Sequence, residues 1–177
     1  MNRYKKQKNI ELSITTPIEG KGRSNFSAVK KPDPENIDLQ KPSQKSIVIV
    51  RHGSYTDEGN LSKEGVEEVK SYAKGLKDEI DGRQSGIIYT SPLPRAVETA
   101  EILAHELNFE KIEKEELRED VVPSKINKIR ELISEVKNST YATVILVTHQ
   151  PVVGALTMLL KGKRTLLGTG EYLKIDV

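Results

Sequence analysis

Residues 143–148 read Thr-Val-Ile-Leu-Val-Thr and run directly into His149-Gln150-Pro151. The run is uncharged and mostly β-branched, as suits a strand covered on both faces. Pro151 stands just inside an apolar helix that ends before Gly162, the usual asymmetry of proline at a helix start and glycine past its end. The same pattern recurs upstream. Ser46 to Val50 (SIVIV) is a short apolar run followed by Arg51-His52-Gly53, and Gly86 to Thr90 (GIIYT) is followed by Ser91-Pro92-Leu93-Pro94-Arg95. Between them, Val66, Val69, Ala73, Leu76 and Ile80 recur at helical spacing behind Ser62, a predicted N-cap. Leu93, Ala96, Val97, Ala100, Leu103 and Leu107 give a second helical stripe. Ile126, Ile129, Ile133 and Val136 give a third, predicted to open at Ser124, and Glu171 to Val177 reads as a last strand at an edge. Strand alternating with helix predicts an α/β fold: a three-layer sandwich with a mostly parallel sheet and helices on both faces.

In such sheets ligands bind outside the carboxyl ends of the strands. The residues there are Arg51 and His52, then Arg95, then His149, with the carboxylates Glu119 and Asp120 ahead of the third helix. Two guanidiniums and helix N-termini suit a dianion such as a phosphoryl group. A histidine held neutral beside such cations can attack phosphorus, and a second can donate to an equatorial oxygen. A carboxylic acid nearby can protonate the leaving oxygen and then deprotonate water. This chemistry calls for no metal and no cofactor. His105, within the second helical stripe beside Glu106, reads as a surface residue.

The chain has 177 residues, no Cys, no Trp and a formal net charge of +2. Zero cysteine excludes disulfide scaffolds and thiolate metal sites. No apolar run is long enough to cross a bilayer, and the expectation is a soluble, cytoplasmic protein without a membrane partner. The charge is uneven: residues 1–45 carry ten Lys/Arg against five Asp/Glu, with four of the eight prolines. Residues 1–45 are therefore expected to be a basic, flexible arm and residues 46–177 the folded domain. The arm lacks the aromatic interleaving of single-strand binders, and no nucleic-acid partner is expected.

Four segments, in order, resemble the histidine phosphatase superfamily, also called phosphoglycerate-mutase-like. They are Arg51-His52-Gly53; Leu61-Ser62-Lys63-Glu64-Gly65; Ser91 through Ala100 (SPLPRAVETA); and His149 after an apolar strand. The resemblance spans the folded part and leaves out the arm. It implies that His52 becomes phosphorylated and that Arg51, Arg95 and His149 clamp the phosphoryl group. It also implies that Glu119, in Leu117-Arg118-Glu119, is the acid, with Asp120 the adjacent alternative. Ser54 stands where the family usually has an acidic residue. The short folded part leaves little room for the lid insertions of the mutases and looks most like the small phosphohistidine phosphatases. The implied substrate is a phosphorylated protein, phosphohistidine above phosphoserine, phosphothreonine or phosphotyrosine, or a small phosphomonoester. A non-catalytic phospho-binding module using the same pocket is the alternative.

Overall fold

The computed structural model describes residues 45–80 and 85–177; the arm expected at residues 1–45 lies almost entirely outside them. The described chain runs β1 (Ser46–Arg51), α1 (Lys63–Glu79), β2 (Gly86–Thr90), α2 (Pro94–Leu107), β3 (Glu110–Glu113), α3 (Ile126–Asn138), β4 (Thr143–Thr148), α4 (Gln150–Lys161) and β5 (Tyr172–Asp176). Two 3₁₀ turns, Glu115–Leu117 and Glu119–Val121, join β3 to α3. The five strands lie in the order β3-β2-β4-β1-β5. All neighbours are parallel except β5, which runs antiparallel along β1.

Alternation along the central strands sorts the core into two halves. Ile47 and Ile49 of β1 with Val144 and Leu146 of β4 face Ile129, Ile133 and Val136 of α3 and Val152, Val153 and Leu156 of α4. Val48, Val50, Ile145 and Val147 face the opposite way, onto Val69, Ala73 and Leu76 of α1 and Ala96, Ala100 and Leu103 of α2. This is the expected three-layer α/β sandwich. Every residue of β4 is buried, which accounts for a run without a polar face.

The helix ends follow their local chemistry. Ser62 caps α1 by accepting from the Gly65 amide at 3.1 Å, and α4 ends on Gly162 in the left-handed region at φ 69°. Ser124 does not open α3. The helix begins at Ile126 with Lys125 in the cap position. The amide of Lys125 already bonds the Val121 carbonyl at 2.8 Å and that of Ile126 the Pro123 carbonyl, so the turn satisfies its own donors. β3 is an addition to the expected strands. Among the described residues no helix is long and apolar enough to cross a membrane.

The strand order gathers three carboxyl ends at one place. β4 inserts between β1 and β2, and Arg51 is in register with Thr148 as Thr90 is with Val147. The three strands therefore end at one level, and the next residues of each, His52, Ser91 and His149, come out side by side. A cavity of about 420 Å³ opens at the other end of the sheet, by Ser85, Gly86 and Phe109, away from these residues.

Candidate active site

His52 is locked onto the strand ends by its backbone. Its amide donates to the Thr148 carbonyl at 3.1 Å, and its carbonyl accepts from the Gly170 amide at 3.0 Å. Gly53 follows because the chain passes against α1 here: a Cβ on Gly53 would meet the Gly65 carbonyl oxygen at 2.8 Å. A Cβ on Gly65 would in turn lie 2.0 Å from the Ser54 oxygen. At each glycine a Cβ would run into the backbone of the facing segment, and this close approach ties the Arg-His-Gly turn to the start of α1. Thr99 of α2 completes the anchor, accepting from the Gly53 amide at 3.2 Å and donating to the Arg95 carbonyl at 2.7 Å.

The His52 ring is 3% exposed. Its Nδ1–H donates to the Gly53 carbonyl at 2.9 Å, and its Nε2 accepts from Arg95 Nε at 3.2 Å. These two bonds define a tautomer with the proton on Nδ1 and the lone pair on Nε2, aimed at the guanidinium. Burial, opposed by the Gly53 bond and aided by the charges of Arg95 and Arg51, lowers its pKa to about 4. At neutral pH the ring is therefore an uncharged base.

His149 is the cap residue of α4, 1% exposed, with its ring centroid 4.9 Å from that of His52. Its Nε2 lies 2.8 Å from the Ser91 hydroxyl, which also accepts from the Leu93 amide at 3.3 Å. The Glu119 carboxylate stands 3.8 Å from Nδ1, where a lone pair would face it unfavourably; we therefore assign the proton to Nδ1, with the Ser91 hydroxyl donating to Nε2. His149 Nδ1 is buried without a hydrogen-bond partner, and so is Nε of Arg51. Burial, then the His52 ring and the guanidiniums of Arg95 and Arg51, lower the His149 pKa to about 3. It is a neutral donor whose N–H is unpaired, and an oxyanion is the partner that suits it.

Arg95 lies in the first turn of α2, 8% exposed, where its charge opposes the helix dipole. Glu119 offsets it: Oε1 pairs with Arg95 Nη2 at 2.9 Å, and Oε2 stands 3.8 Å from His149 Nδ1. Asp120 faces elsewhere, paired with Arg118 Nε at 3.0 Å. Arg51 hydrogen-bonds the Leu167 carbonyl through Nη1 at 2.8 Å. The structure thus brings His52, Arg95, His149 and Glu119 into one cluster, with the Arg51 charge acting on both rings. His105 stays on the surface, its side chain 87% exposed.

Three contributors were not singled out from sequence: Ser91, Thr99 and the loop of residues 167–170. Ser91 had a visible signal, since it directly follows β2 as the two histidines follow β1 and β4. The loop had none, because its work is done by backbone groups on Arg51 and His52 and by Thr169, whose hydroxyl is 3.1 Å from that of Ser54. Ser54 itself bonds Glu68 through its amide and hydroxyl, at 3.0 and 2.9 Å. An acidic side chain there would face that carboxylate.

The two lowered histidines give a pH prediction. Each ring is neutral in the fold well below pH 6.5, whereas an unfolded histidine takes up its proton near that value. Stability is therefore full above about pH 6.5 and declines as pH falls toward about 4 for His52 and about 3 for His149. The slope is at most roughly 1.4 kcal/mol per pH unit for each ring. Titration of the ring carbons by NMR should show no midpoint for either residue between about pH 5 and 8. An imidazole turning over near 6.5 would contradict the burial argument.

Fold and site define an α/β protein with a paired-histidine, paired-arginine cleft at the carboxyl ends of a parallel sheet. Residues 47–122 match the model of the histidine phosphatase superfamily (branch 1). That stretch, which carries His52, Arg95 and Glu119, is similar to the histidine phosphatase superfamily. The match ends before His149, which the β1–β4 pairing brings to the same cleft. Solved structures of the same fold include the protein histidine phosphatase SixA complexed with tungstate, 21% identical with a TM-score of 0.60, covering 74% of this chain and 96% of that one. A putative phosphohistidine phosphatase SixA from Agrobacterium tumefaciens is 17% identical, TM-score 0.59, covering 75% and 92%. A mycobacterial glucosyl-3-phosphoglycerate phosphatase is 18% identical, TM-score 0.58, covering 73% and 89%. No curated protein matches the chain. The family match over residues 47–122 supports a phosphatase.

Proposed function

We propose that this chain is a phosphatase working through a phospho-His52 intermediate, with a phosphohistidine side chain of a protein as its favoured substrate. Residues 46–177 would form the catalytic unit, since every site residue lies within them. The observation that carries the reading is the pair of neutral histidines, one with its lone pair turned to Arg95 and one with an unpartnered N–H, between two guanidiniums.

On entry of a phosphoryl dianion, Arg95 exchanges its bonds to His52 Nε2 and Glu119 for phosphoryl oxygens, which frees the lone pair. Arg51 and the Nδ1–H of His149 hold the remaining oxygens, helped by the N-termini of α2 and α4. Nε2 attacks phosphorus in line as the substrate's P–N or P–O bond breaks, and the electron pair leaves with the departing atom. Glu119 supplies the proton that an alkoxide needs. Water, its proton taken by Glu119, then attacks the phosphohistidine, releasing inorganic phosphate and restoring Nε2. A phosphohistidine substrate favours this site because an imidazole leaves with less help from an acid, and Glu119 is half exposed and engaged with Arg95.

The test is a quench assay on a phosphohistidine-bearing phosphotransfer protein beside phosphoserine and phosphotyrosine peptides and p-nitrophenyl phosphate. The expected result is faster turnover of phosphohistidine than of phosphoserine. Equal turnover of all four would point to a general phosphomonoesterase. Saturable phosphate binding without turnover would replace the enzyme by a phospho-binding module.

A further inference from the structure

Tyr55 is an aromatic ring left half exposed, at 50%, beside the reacting groups. Its centroid lies 5.2 Å from that of His52 at an interplanar angle of 76°, and the Arg95 guanidinium carbon stands 4.7 Å from it. The loop that presents it is held at many points. Tyr55 bridges to Leu61; the Thr56 amide bonds the Asn60 carbonyl at 2.8 Å, and the Gly59 carbonyl accepts from the Arg95 amide at 3.1 Å. Glu98 of α2 accepts from the Leu61 amide at 2.7 Å and from the Asn60 side chain. The ring is therefore presented rigidly, at low entropic cost to anything that packs on it.

In-line attack sends the leaving group away from His52 Nε2. His52 Nε2 faces Arg95 Nε at 3.2 Å and the Arg95 guanidinium lies against the Tyr55 ring, so Tyr55 stands on the side of His52 to which the phosphoryl group must come. We infer that Tyr55 is a specificity residue of this site: its exposed half packs against an aromatic or heteroaromatic leaving group, the imidazole of phosphohistidine above all. Aromatic pairs of this kind gain energy beyond the area they bury. A serine leaving group has no ring to offer and gains nothing from Tyr55 beyond the shielding of Arg95.

The inference rests on the phosphatase reading, and one experiment separates them. The wild type, Tyr55→Phe and Tyr55→Ala are compared by kcat/KM on phosphohistidine protein, a phosphotyrosine peptide and a phosphoserine peptide. Tyr55→Ala is expected to lose about fivefold to tenfold more on the two aromatic leaving groups than on phosphoserine, and Tyr55→Phe to restore them. Turnover of phosphoserine doubles as the control for folding. Equal losses by Tyr55→Ala on all three substrates would overturn the inference while leaving the phosphatase standing. No turnover by the wild type on any of them would overturn both.

Discussion

Replacing His52 by alanine is expected to lower kcat on every phosphorylated substrate by about four to six powers of ten, the scale seen when a covalent nucleophile is removed. The expectation follows from the arrangement of the ring. Its proton is committed to the Gly53 carbonyl, its lone pair meets Arg95, and its pKa of about 4 keeps it unprotonated at neutral pH. No other described side chain offers a buried neutral base between the two guanidiniums in that orientation, since His149 turns a donor toward the pocket. A rapid quench with radiolabelled substrate should trap label on the wild type in acid-labile, alkali-stable form, as a phosphoramidate requires. His52→Ala should trap none. Substantial turnover by His52→Ala, with no label on either protein, would mean that water attacks phosphorus directly and that the cluster serves only to bind the dianion.

How much of the fold and site was legible in the sequence depends on what each residue's position demands. β1 and β4 are covered on both faces, so their residues had to be apolar throughout, and the strands stood out. β3 did not, because Glu110-Lys111-Ile112-Glu113 is an edge strand paired only with β2 and largely exposed; no burial constrains its side chains. His52, Arg95 and His149 were legible for the same topological reason: they follow strands or open a helix where a charged or titratable group has no structural reason to be. Ser124 misled because a good capping residue counts only where the amides ahead of it are unsatisfied. Tyr55 carried no periodic signal at all, since a ring on a loop is defined by what the loop is tied to. Glu119 and Asp120 are adjacent carboxylates in one short turn. Nothing in their spacing says which way each points, and the structure sends Glu119 to Arg95 and Asp120 to Arg118.

That divergence supports the second large effect. Glu119→Gln is expected to lower kcat on phosphoserine by about 10²–10⁴-fold, the range for loss of a positioned acid–base group. On phosphohistidine the loss should stay below about tenfold for the transfer step, because a phosphohistidine ring protonated on its other nitrogen departs as neutral imidazole without an alkoxide's need for a proton. KM should fall as well. In the free protein the Glu119 carboxylate stands 2.9 Å from Arg95, on a donor that the phosphoryl group needs. An amide keeps the shape but competes far less for that guanidinium, so inorganic phosphate and phosphorylated substrates should bind Glu119→Gln more tightly. Asp120→Asn, which disturbs only the exposed pair with Arg118, should leave both quantities within about twofold. A fall in kcat without the fall in KM would mean that Glu119 does not stand in the anion's place. Equal losses on phosphoserine and phosphohistidine would mean that its role is to hold Arg95 rather than to carry the proton.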